Sequence, residues 1–280
     1  MLGAIIGDIV GSCYEFNSIK TTEFELFKPH SRYTDDSVMT MAVAEWLLED
    51  PHHTHQILEE KMVKFGKLNT NVGYGSHFLH WLFFPNAIFP DGQRKPYNSF
   101  GNGSAMRVSA VGWMFDTLEE TERVAEISAS ITHNHPEGIK GAQATAAAIF
   151  MARNGASKEE IKDYISKKFN YNLNRTCNQI RPFYRFEVSC QKSVPESIVA
   201  FLDSKDYEST VRLAVSLGGD SDTQACIAGD IAEAFYGIPN DIVVEAASRI
   251  PQYFKETIIR MAESSAYRSR REQLKRCWGQ

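Results

Sequence analysis

Gly218-Gly219-Asp220-Ser221-Asp222-Thr223 leads directly into a mainly apolar stretch that continues to Tyr236, ends at Gly237 and is followed by Pro239. A glycine with a proline shortly after it is a common end of a helix. We therefore expect a buried helix over residues 222–236, with the glycine-bearing acidic segment 218–222 at its N-terminus.

The periodicity elsewhere is also mostly helical. Val38, Met41, Ala42 and Trp46 keep the 3.6-residue spacing of a helix behind the polar residues 34–36. Residues 120–132 and the Ala-rich residues 141–153, with Gly155 as a stop signal, predict two more helices. Only residues 184–188 alternate like a strand, and they are too few to define a sheet. Because we find no repeat period and no low-complexity tract, we predict an all-α fold in one domain over residues 1–280.

The composition is that of an ordinary folded chain. The 280 residues include 35 acidic and 30 basic side chains, a net charge of −5, and 43% of the residues are hydrophobic. These values exclude a disordered or fibrous protein, and the mild acidity gives no electrostatic reason to expect a nucleic acid partner. No run reaches 18 consecutive apolar residues, so we expect no membrane-spanning helix.

The cysteines and the first residues of the chain indicate in which cellular compartment the protein is expected. The five cysteines are odd in number and include no Cys-x-x-Cys pair, which argues against a disulfide scaffold and against a thiolate zinc site. Residues 1–8 contain no basic leader and reach an acid too early for a signal peptide. Free thiols in such a chain fit a reducing compartment, and we expect the cytoplasm.

Two acidic clusters, residues 33–37 and 220–223, each precede a predicted helix and combine carboxylates with a threonine hydroxyl. Taken singly, each cluster could simply cap its helix, because Thr and Asp are favoured there. Together they hold oxygen ligands suited to a hard cation. Carboxylates about 4 Å apart repel by about 4 kcal/mol at an effective dielectric of 20, so converging clusters would bind protons or need positive charge. Neither cluster contains Lys or Arg, and we expect Mg²⁺ or Mn²⁺, with room for two ions.

Three glycine-bearing polar segments, 7–12, 100–104 and 218–222, interrupt the helical pattern. Glycine lets a ligand approach the main chain closely. None of the three matches the dinucleotide fingerprint or the Walker phosphate loop. A nucleotide could still lie against them, held by main-chain N–H groups at helix starts.

Five motifs occur in one order along the chain. They are Gly3-Ala4-Ile5-Ile6-Gly7-Asp8 with Gly11-Ser12-Cys13-Tyr14-Glu15, Tyr33-Thr34-Asp35-Asp36-Ser37, Gly101-Asn102-Gly103-Ser104-Ala105-Met106-Arg107, Ser193-Val194-Pro195-Glu196 and Gly218-Gly219-Asp220-Ser221-Asp222-Thr223. Because all five motifs are present and occur in this order, the chain resembles the ADP-ribosylglycohydrolase family. The resemblance implies a compact, orthogonal multi-helix all-α fold around a cleft that holds two magnesium or manganese ions.

The resemblance also implies roles for individual residues. By motif matching, the metal ligands are Thr34, Asp35, Asp36, Asp220, Asp222 and Thr223. The substrate carries ADP-ribose, and the loop that would contact it consists of Phe100, Gly101, Asn102, Gly103, Ser104, Ala105 and Met106. His133 is a further candidate for substrate contact, with a structural histidine as the alternative.

The implied reaction breaks the glycosidic bond at ribose C1, which develops oxocarbenium character while the leaving group takes up a proton. Glu15, Asp35 and Asp220 are the candidate catalytic carboxylates, and the identity of the proton-transferring group stays open. We expect a metal-dependent hydrolase that removes ADP-ribose from a modified protein or a related conjugate. Hydrolysis of small ADP-ribosyl compounds and non-catalytic binding of ADP-ribose are the alternatives.

Two further segments carry weaker expectations. His77 and His80 lie among Phe78, Leu79, Trp81 and Leu82, which predicts packing rather than zinc binding. The proline- and glycine-containing residues 85–96 predict a long irregular loop that covers the cleft.

Overall fold

The computed structural model describes residues 1–279, and their regular structure is helical, which confirms the predicted all-α class. Within these residues the isolated antiparallel bridge between Gly101 and Ser189 is the one β-type pairing. None of the helices in this range combines the length and the apolar character that crossing a bilayer requires. The α-helices are α1 (Leu2–Gly11), α2 (Asp35–Glu49), α3 (His55–Leu68), α4 (Ser76–Phe83), α5 (Pro85–Ile88), α6 (Gly103–Met106), α7 (Ser109–Met114), α8 (Leu118–Ser130), α9 (Pro136–Arg153), α10 (Lys158–Phe169), α11 (Cys177–Ile180), α12 (Cys190–Asp203), α13 (Tyr207–Ser216), α14 (Ser221–Tyr236), α15 (Asn240–Ala247), α16 (Gln252–Ser264) and α17 (Arg271–Trp278), with a 3₁₀ helix over Ala266–Arg270.

The helices expected from the sequence are present, with shifted ends. The buried helix expected over 222–236 is α14, which is buried from Ser221 to Ala234 and ends at Gly237 with positive φ. Helix α9 begins five residues before the predicted start, because Pro136 occupies the first helical position, where a missing N–H costs nothing. Residues 184–188 form no strand, and residues 85–88 form one helical turn instead of irregular loop.

The main chains of α1 and α14 approach each other so closely that almost no side-chain atoms lie between them. Gly3, Gly7 and Gly11 lie on one face of α1, and a Cβ atom on Gly7 would fall 2.0 Å from the carbonyl oxygen of Ala225. Corresponding Cβ atoms on Gly3 and Gly11 would lie 2.4 Å from the carbonyl oxygens of Gly229 and Ser221. Only hydrogen side chains permit this approach.

The order of these contacts shows that α1 and α14 run antiparallel, since increasing numbers on α1 meet decreasing numbers on α14. The C-terminal end of α1 therefore lies beside the N-terminal end of α14. Glu15, which follows α1 by four residues, is brought to the acidic cluster 220–223 in this way.

Candidate functional site

The two acidic clusters meet at the N-terminal ends of α2 and α14. The Thr223 hydroxyl donates to Asp36 Oδ2 at 3.3 Å, across 187 residues of sequence. Thr34 caps α2 and accepts a hydrogen bond from the Asp36 N–H, while Asp220 is the N-cap of α14. The predicted convergence is confirmed, and each cluster also serves its helix as a cap or first-turn acid.

Three carboxylates face one another in the cleft. Oxygen atoms of Glu15, Asp220 and Asp222 all lie within 4.8 Å of one another. Two unit charges at 4.8 Å repel by about 3 kcal/mol at an effective dielectric of 20. Without added positive charge, the group therefore cannot stay fully ionised at low cost.

The pKa values of this cluster are raised by burial. Burial, together with the smaller effect of the negative charge of Asp222, raises the pKa of Glu15 to about 8. The same two causes hold the pKa values of Asp35 and Asp36 well above the usual range. The pKa of Asp220 rises only to about 6, because hydrogen bonds from Asp222 and Asn102 oppose the effect of burial.

The donor set fits a hard divalent cation. Besides the facing carboxylates, Asp36 Oδ1 is buried and has no hydrogen-bond partner among residues 1–279. Buried carboxylate oxygens normally find a donor or a cation. An oxygen-only donor set with excess negative charge is typical of sites for Mg²⁺ or Mn²⁺.

Asp8, to which the sequence pattern assigned no role, holds the start of α2 in place. Its carboxylate accepts hydrogen bonds from the Thr34 N–H at 2.8 Å, from the Thr34 hydroxyl at 2.7 Å and from the Ser37 N–H at 3.1 Å. Burial raises the pKa of Asp8 to about 6, against the effect of these bonds. An acid within an otherwise apolar helix was the sequence signal that could have identified it.

Five residues of the predicted substrate loop line a cavity of about 610 Å³ that contains the acidic cleft: Phe100, Gly101, Asn102, Gly103 and Met106. Asn102 Nδ2 donates to Asp220 Oδ2 at 2.7 Å and so ties the loop to the cleft. Ser104 and Ala105 are buried behind the cavity wall, where the Ser104 hydroxyl donates to the Gly138 carbonyl at 2.7 Å.

His133 also lines the cavity and lies under the loop. A Cβ atom on Gly103 would come 3.2 Å from His133 Nε2, and Nδ1 lies 2.7 Å from the Thr132 hydroxyl. Burial, with a smaller effect of Arg107, holds the pKa of His133 well below its usual range. The imidazole is therefore neutral at pH 7. The substrate contact expected of His133 stays a prediction.

Several aromatic residues at the mouth were not found from the sequence. The rings of Phe16 and Phe186 stack at 6.1 Å although their side chains are 81% and 53% exposed, and both residues line the cavity. His77 lines it as well and stacks on Tyr97 at 6.0 Å. Exposed aromatic pairs have no short-range sequence pattern, because the partners come from distant segments.

His77 and His80 are not buried among their apolar neighbours, although His77 stacks on Tyr97 and the His80 ring lies 6.1 Å from that of Phe84. Helix α4 buries Phe78, Trp81 and Leu82, which share one face at the i, i+3 and i+4 positions. The two histidines point away from that face and are exposed. The expected cover over the cleft is also not formed by residues 85–96, since the residues that line the cavity come from other segments.

The raised pKa values predict that the metal-free protein becomes more stable as pH falls. The folded state binds protons on Glu15 (pKa about 8) and Asp220 (pKa about 6) at pH values where the unfolded chain has already lost them, so stability decreases with rising pH. In EDTA the thermal midpoint should rise as the pH is lowered from 9 to 6. At pH 8, Mg²⁺ or Mn²⁺ at a hundredfold its Kd should raise it by roughly 5 °C. A midpoint at pH 8 that neither ion changes would contradict a cation site.

Comparisons with known proteins agree on one family. The family model of ADP-ribosylglycohydrolase matches residues 1–275. "ADP-ribosylhydrolase ARH3" of Homo sapiens is 25% identical over 329 aligned positions, covering 92% of this chain and 90% of that protein. "ADP-ribosylarginine hydrolase Tri1" of Pseudomonas putida is 24% identical over 263 positions, covering 85% and 70%.

A solved structure shares the fold. The "ADP-ribosylglycohydrolase-related protein complex" superposes with a TM-score of 0.67 at 21% identity, over 99% of this chain and 95% of that one. The converging acidic clusters lie within the part of the sequence that the family model matches. Fold, motif order and sequence similarity therefore lead to the same result: the chain belongs to the ADP-ribosylglycohydrolase family.

Proposed function

We propose that this chain is a magnesium- or manganese-dependent hydrolase that cleaves the glycosidic bond between ADP-ribose and a modified protein side chain or a related conjugate. The main support is the meeting of Glu15, Asp220 and Asp222 within 4.8 Å beside a cavity of about 610 Å³. Relatives named as hydrolases of ADP-ribosyl groups support the substrate class. We regard residues 1–280 as one domain.

In this proposal two divalent cations are held by Thr34, Asp35 and Asp36 from the start of α2 and by Asp220, Asp222 and Thr223 from the start of α14. Such ions supply localised positive charge that orients water and ribose hydroxyls. The unpartnered Asp36 Oδ1 and the mutual repulsion of the carboxylates support a cation at this place. Asp8 holds the α2 side of the site by accepting hydrogen bonds from Thr34 and Ser37.

In this proposal, carboxylates of the protein transfer the protons of the reaction. Cleavage at ribose C1 requires a proton for the departing group and removal of one from the attacking water. Glu15 is our first candidate for these transfers, because it lies within 4.8 Å of Asp220 and Asp222, lines the cavity and is only partly buried. Asp35 and Asp220 remain the other candidates. Asn102 orients Asp220 by donating to its Oδ2.

The loop around residues 100–106 binds the nucleotide part in this proposal. Gly101 and Gly103 leave the main chain open to ribose and diphosphate oxygens. Phe100 is 49% exposed beside the cavity, which suits stacking on a base. His133 supports the loop and contacts the substrate, whereas Ser104 and Ala105 act by holding the loop in place.

The partner is therefore an ADP-ribosylated protein or a small ADP-ribosyl conjugate. The cysteines at 13, 177, 190, 226 and 277 are free thiols, which supports a reducing compartment such as the cytoplasm.

The test is a substrate panel assayed with Mg²⁺, Mn²⁺ and chelator. ADP-ribosylarginine peptide, ADP-ribosylserine peptide and a small ADP-ribosyl conjugate should be compared by release of free ADP-ribose. We expect turnover of at least one substrate with metal and loss of that turnover in EDTA, restored by added metal. Turnover that persists in EDTA would overturn the metal role. Calorimetric binding of ADP-ribose without turnover of any conjugate would instead establish a binding protein.

A further inference from the structure

The two ring nitrogens of His133 have different surroundings in the cavity of the candidate active site. Nδ1 lies 2.7 Å from the Thr132 hydroxyl. Nε2 has no hydrogen-bond partner among residues 1–279, and it lies 3.5 and 3.2 Å from the positions that Cβ atoms on Gly101 and Gly103 would take. Because both loop residues are glycines, no side chain of theirs covers Nε2, and this nitrogen is left to meet a ligand.

A buried guanidinium determines how the Thr132 hydroxyl is oriented. Arg107 is 1% exposed, and Thr132 is fully buried. Arg107 Nη2 donates to the carbonyl of Ser128, in the last turn of α8, and to Thr132 Oγ1, both at 2.9 Å. A guanidinium has donors only, so the Thr132 oxygen accepts in this contact. The hydrogen of the hydroxyl must therefore point to another atom.

That atom is His133 Nδ1, the one remaining partner of the Thr132 hydroxyl among residues 1–279. A neutral imidazole has one nitrogen that donates and one that accepts. If Nδ1 carried the ring hydrogen, the buried hydroxyl hydrogen of Thr132 would have no acceptor, which buried polar groups avoid. The ring hydrogen is therefore on Nε2. Burial and the charge of Arg107 hold the pKa of His133 well below its usual range, so Nδ1 does not gain a second hydrogen at pH 7.

We propose that Arg107 and Thr132 are positioning residues, which hold His133 as a neutral imidazole with its Nε2–H directed into the cavity. A nitrogen that donates and cannot accept binds an oxygen atom of the ligand, here a ribose or diphosphate oxygen of ADP-ribose. His133 then transfers no proton in the reaction, and this task stays with the carboxylates. The identity of the ligand rests on the proposed function, whereas the place of the ring hydrogen does not depend on it.

The first test locates the ring hydrogen in the full chain without ligand, by long-range proton–nitrogen correlation spectra of protein that carries isotope-labelled histidine. Signals of His133 are identified by their loss in His133→Gln. We expect the parent to show one neutral tautomer at pH 7, with the hydrogen on Nε2. Thr132→Val should shift the Nδ1 resonance and allow both tautomers, since the donor to Nδ1 is gone. Thr132→Ser keeps the hydroxyl and should restore the parental spectrum.

The second test is calorimetric titration of ADP-ribose in the presence of Mg²⁺. Thr132→Val should weaken the Kd by about three- to tenfold, because the donor to the ligand loses its fixed orientation, and Thr132→Ser should recover most of the affinity. An equal loss with ADP would place the acceptor oxygen in the ADP part, and a loss confined to ADP-ribose would place it on the distal ribose. Thr121→Val is the matched control, since Thr121 is equally buried on α8 and its hydroxyl donates to the Thr117 carbonyl at 2.8 Å. It should change neither the His133 signals nor the Kd.

A parental His133 with its hydrogen on Nδ1, or with both nitrogens protonated at pH 7, would overturn the proposal, and this result needs no variant of Thr132 that folds. An unchanged Kd in a folded Thr132→Val would overturn the positioning role. If the parent bound no ADP-ribose at all, the proposed function would fail, while the spectrum would still decide where the ring hydrogen lies.

Discussion

Replacing Asp222 by asparagine is expected to abolish hydrolysis while making the metal-free protein more stable. Asp222 faces Glu15 and Asp220, and its charge raises the pKa values of Glu15, Asp35 and Asp36. Removing this charge removes a repulsion with Glu15 of about 3 kcal/mol at an effective dielectric of 20, while the asparagine amide can still donate to Asp220. In EDTA the thermal midpoint should therefore rise by roughly 2–5 °C.

The same substitution removes a proposed metal ligand. With Mg²⁺ or Mn²⁺ present, release of ADP-ribose should fall by about 10³-fold or more, which corresponds to ~4 kcal/mol of transition-state stabilisation. Asp35→Asn should behave in the same way. A loss of activity together with a rise in the metal-free thermal midpoint would show that the carboxylate binds a cation. A carboxylate that stabilises the fold would instead lower that midpoint when it is replaced.

Asp163→Asn is the matched control, because Asp163 is an exposed partner of Lys167 on α10. It should change neither the rate nor the thermal midpoint measurably. Full activity of Asp222→Asn in EDTA would refute the proposed site. A lower metal-free midpoint would show that Asp222 stabilises the fold by itself.

The second large effect is expected for Gly7→Val, which should prevent folding. A Cβ atom at Gly7 would lie 2.0 Å from the Ala225 oxygen and 2.4 Å from its carbonyl carbon, and both obstacles belong to the main chain of the buried α14. Overpacked cores commonly lose 1–3 kcal/mol, and a backbone obstacle costs more. A loss above ~4 kcal/mol takes most of the 5–15 kcal/mol that holds a typical domain together. Urea denaturation followed by circular dichroism measures this loss.

Gly7→Ala should be strongly destabilising too, although alanine favours the helix by about 1 kcal/mol over glycine. Gly75→Ala is the control for stability, since no heavy atom lies within 4 Å of its Cβ position and its φ of −56° suits any residue. It should shift the unfolding midpoint little. If Gly7→Val unfolded at nearly the same urea concentration as the parent, the close approach of α1 and α14 would be incorrect.

Much of the fold was predictable because its signals are local. Helical periodicity, the stop at Gly237 and the caps at Thr34 and Asp220 depend on neighbours within one or two turns. The motif order likewise indicated the family before any contact was known. The prediction failed where a helix face had to be chosen. The apolar neighbours of His77 and His80 suggested burial, yet both histidines lie on the exposed face of α4, where His77 lines the cavity of the candidate site.

The sequence by itself determined the helical class, the family and the list of candidate oxygen ligands, since composition, periodicity and motifs are properties of short segments. The tertiary structure alone decided that Glu15 reaches Asp220 and Asp222, that Asp8 supports Thr34, and that Arg107 reaches Thr132. Those arrangements depend on the antiparallel contact of α1 with α14 and on the packing of α6 against α8. Such contacts join residues far apart in the chain, and no local pattern specifies which distant atoms will meet.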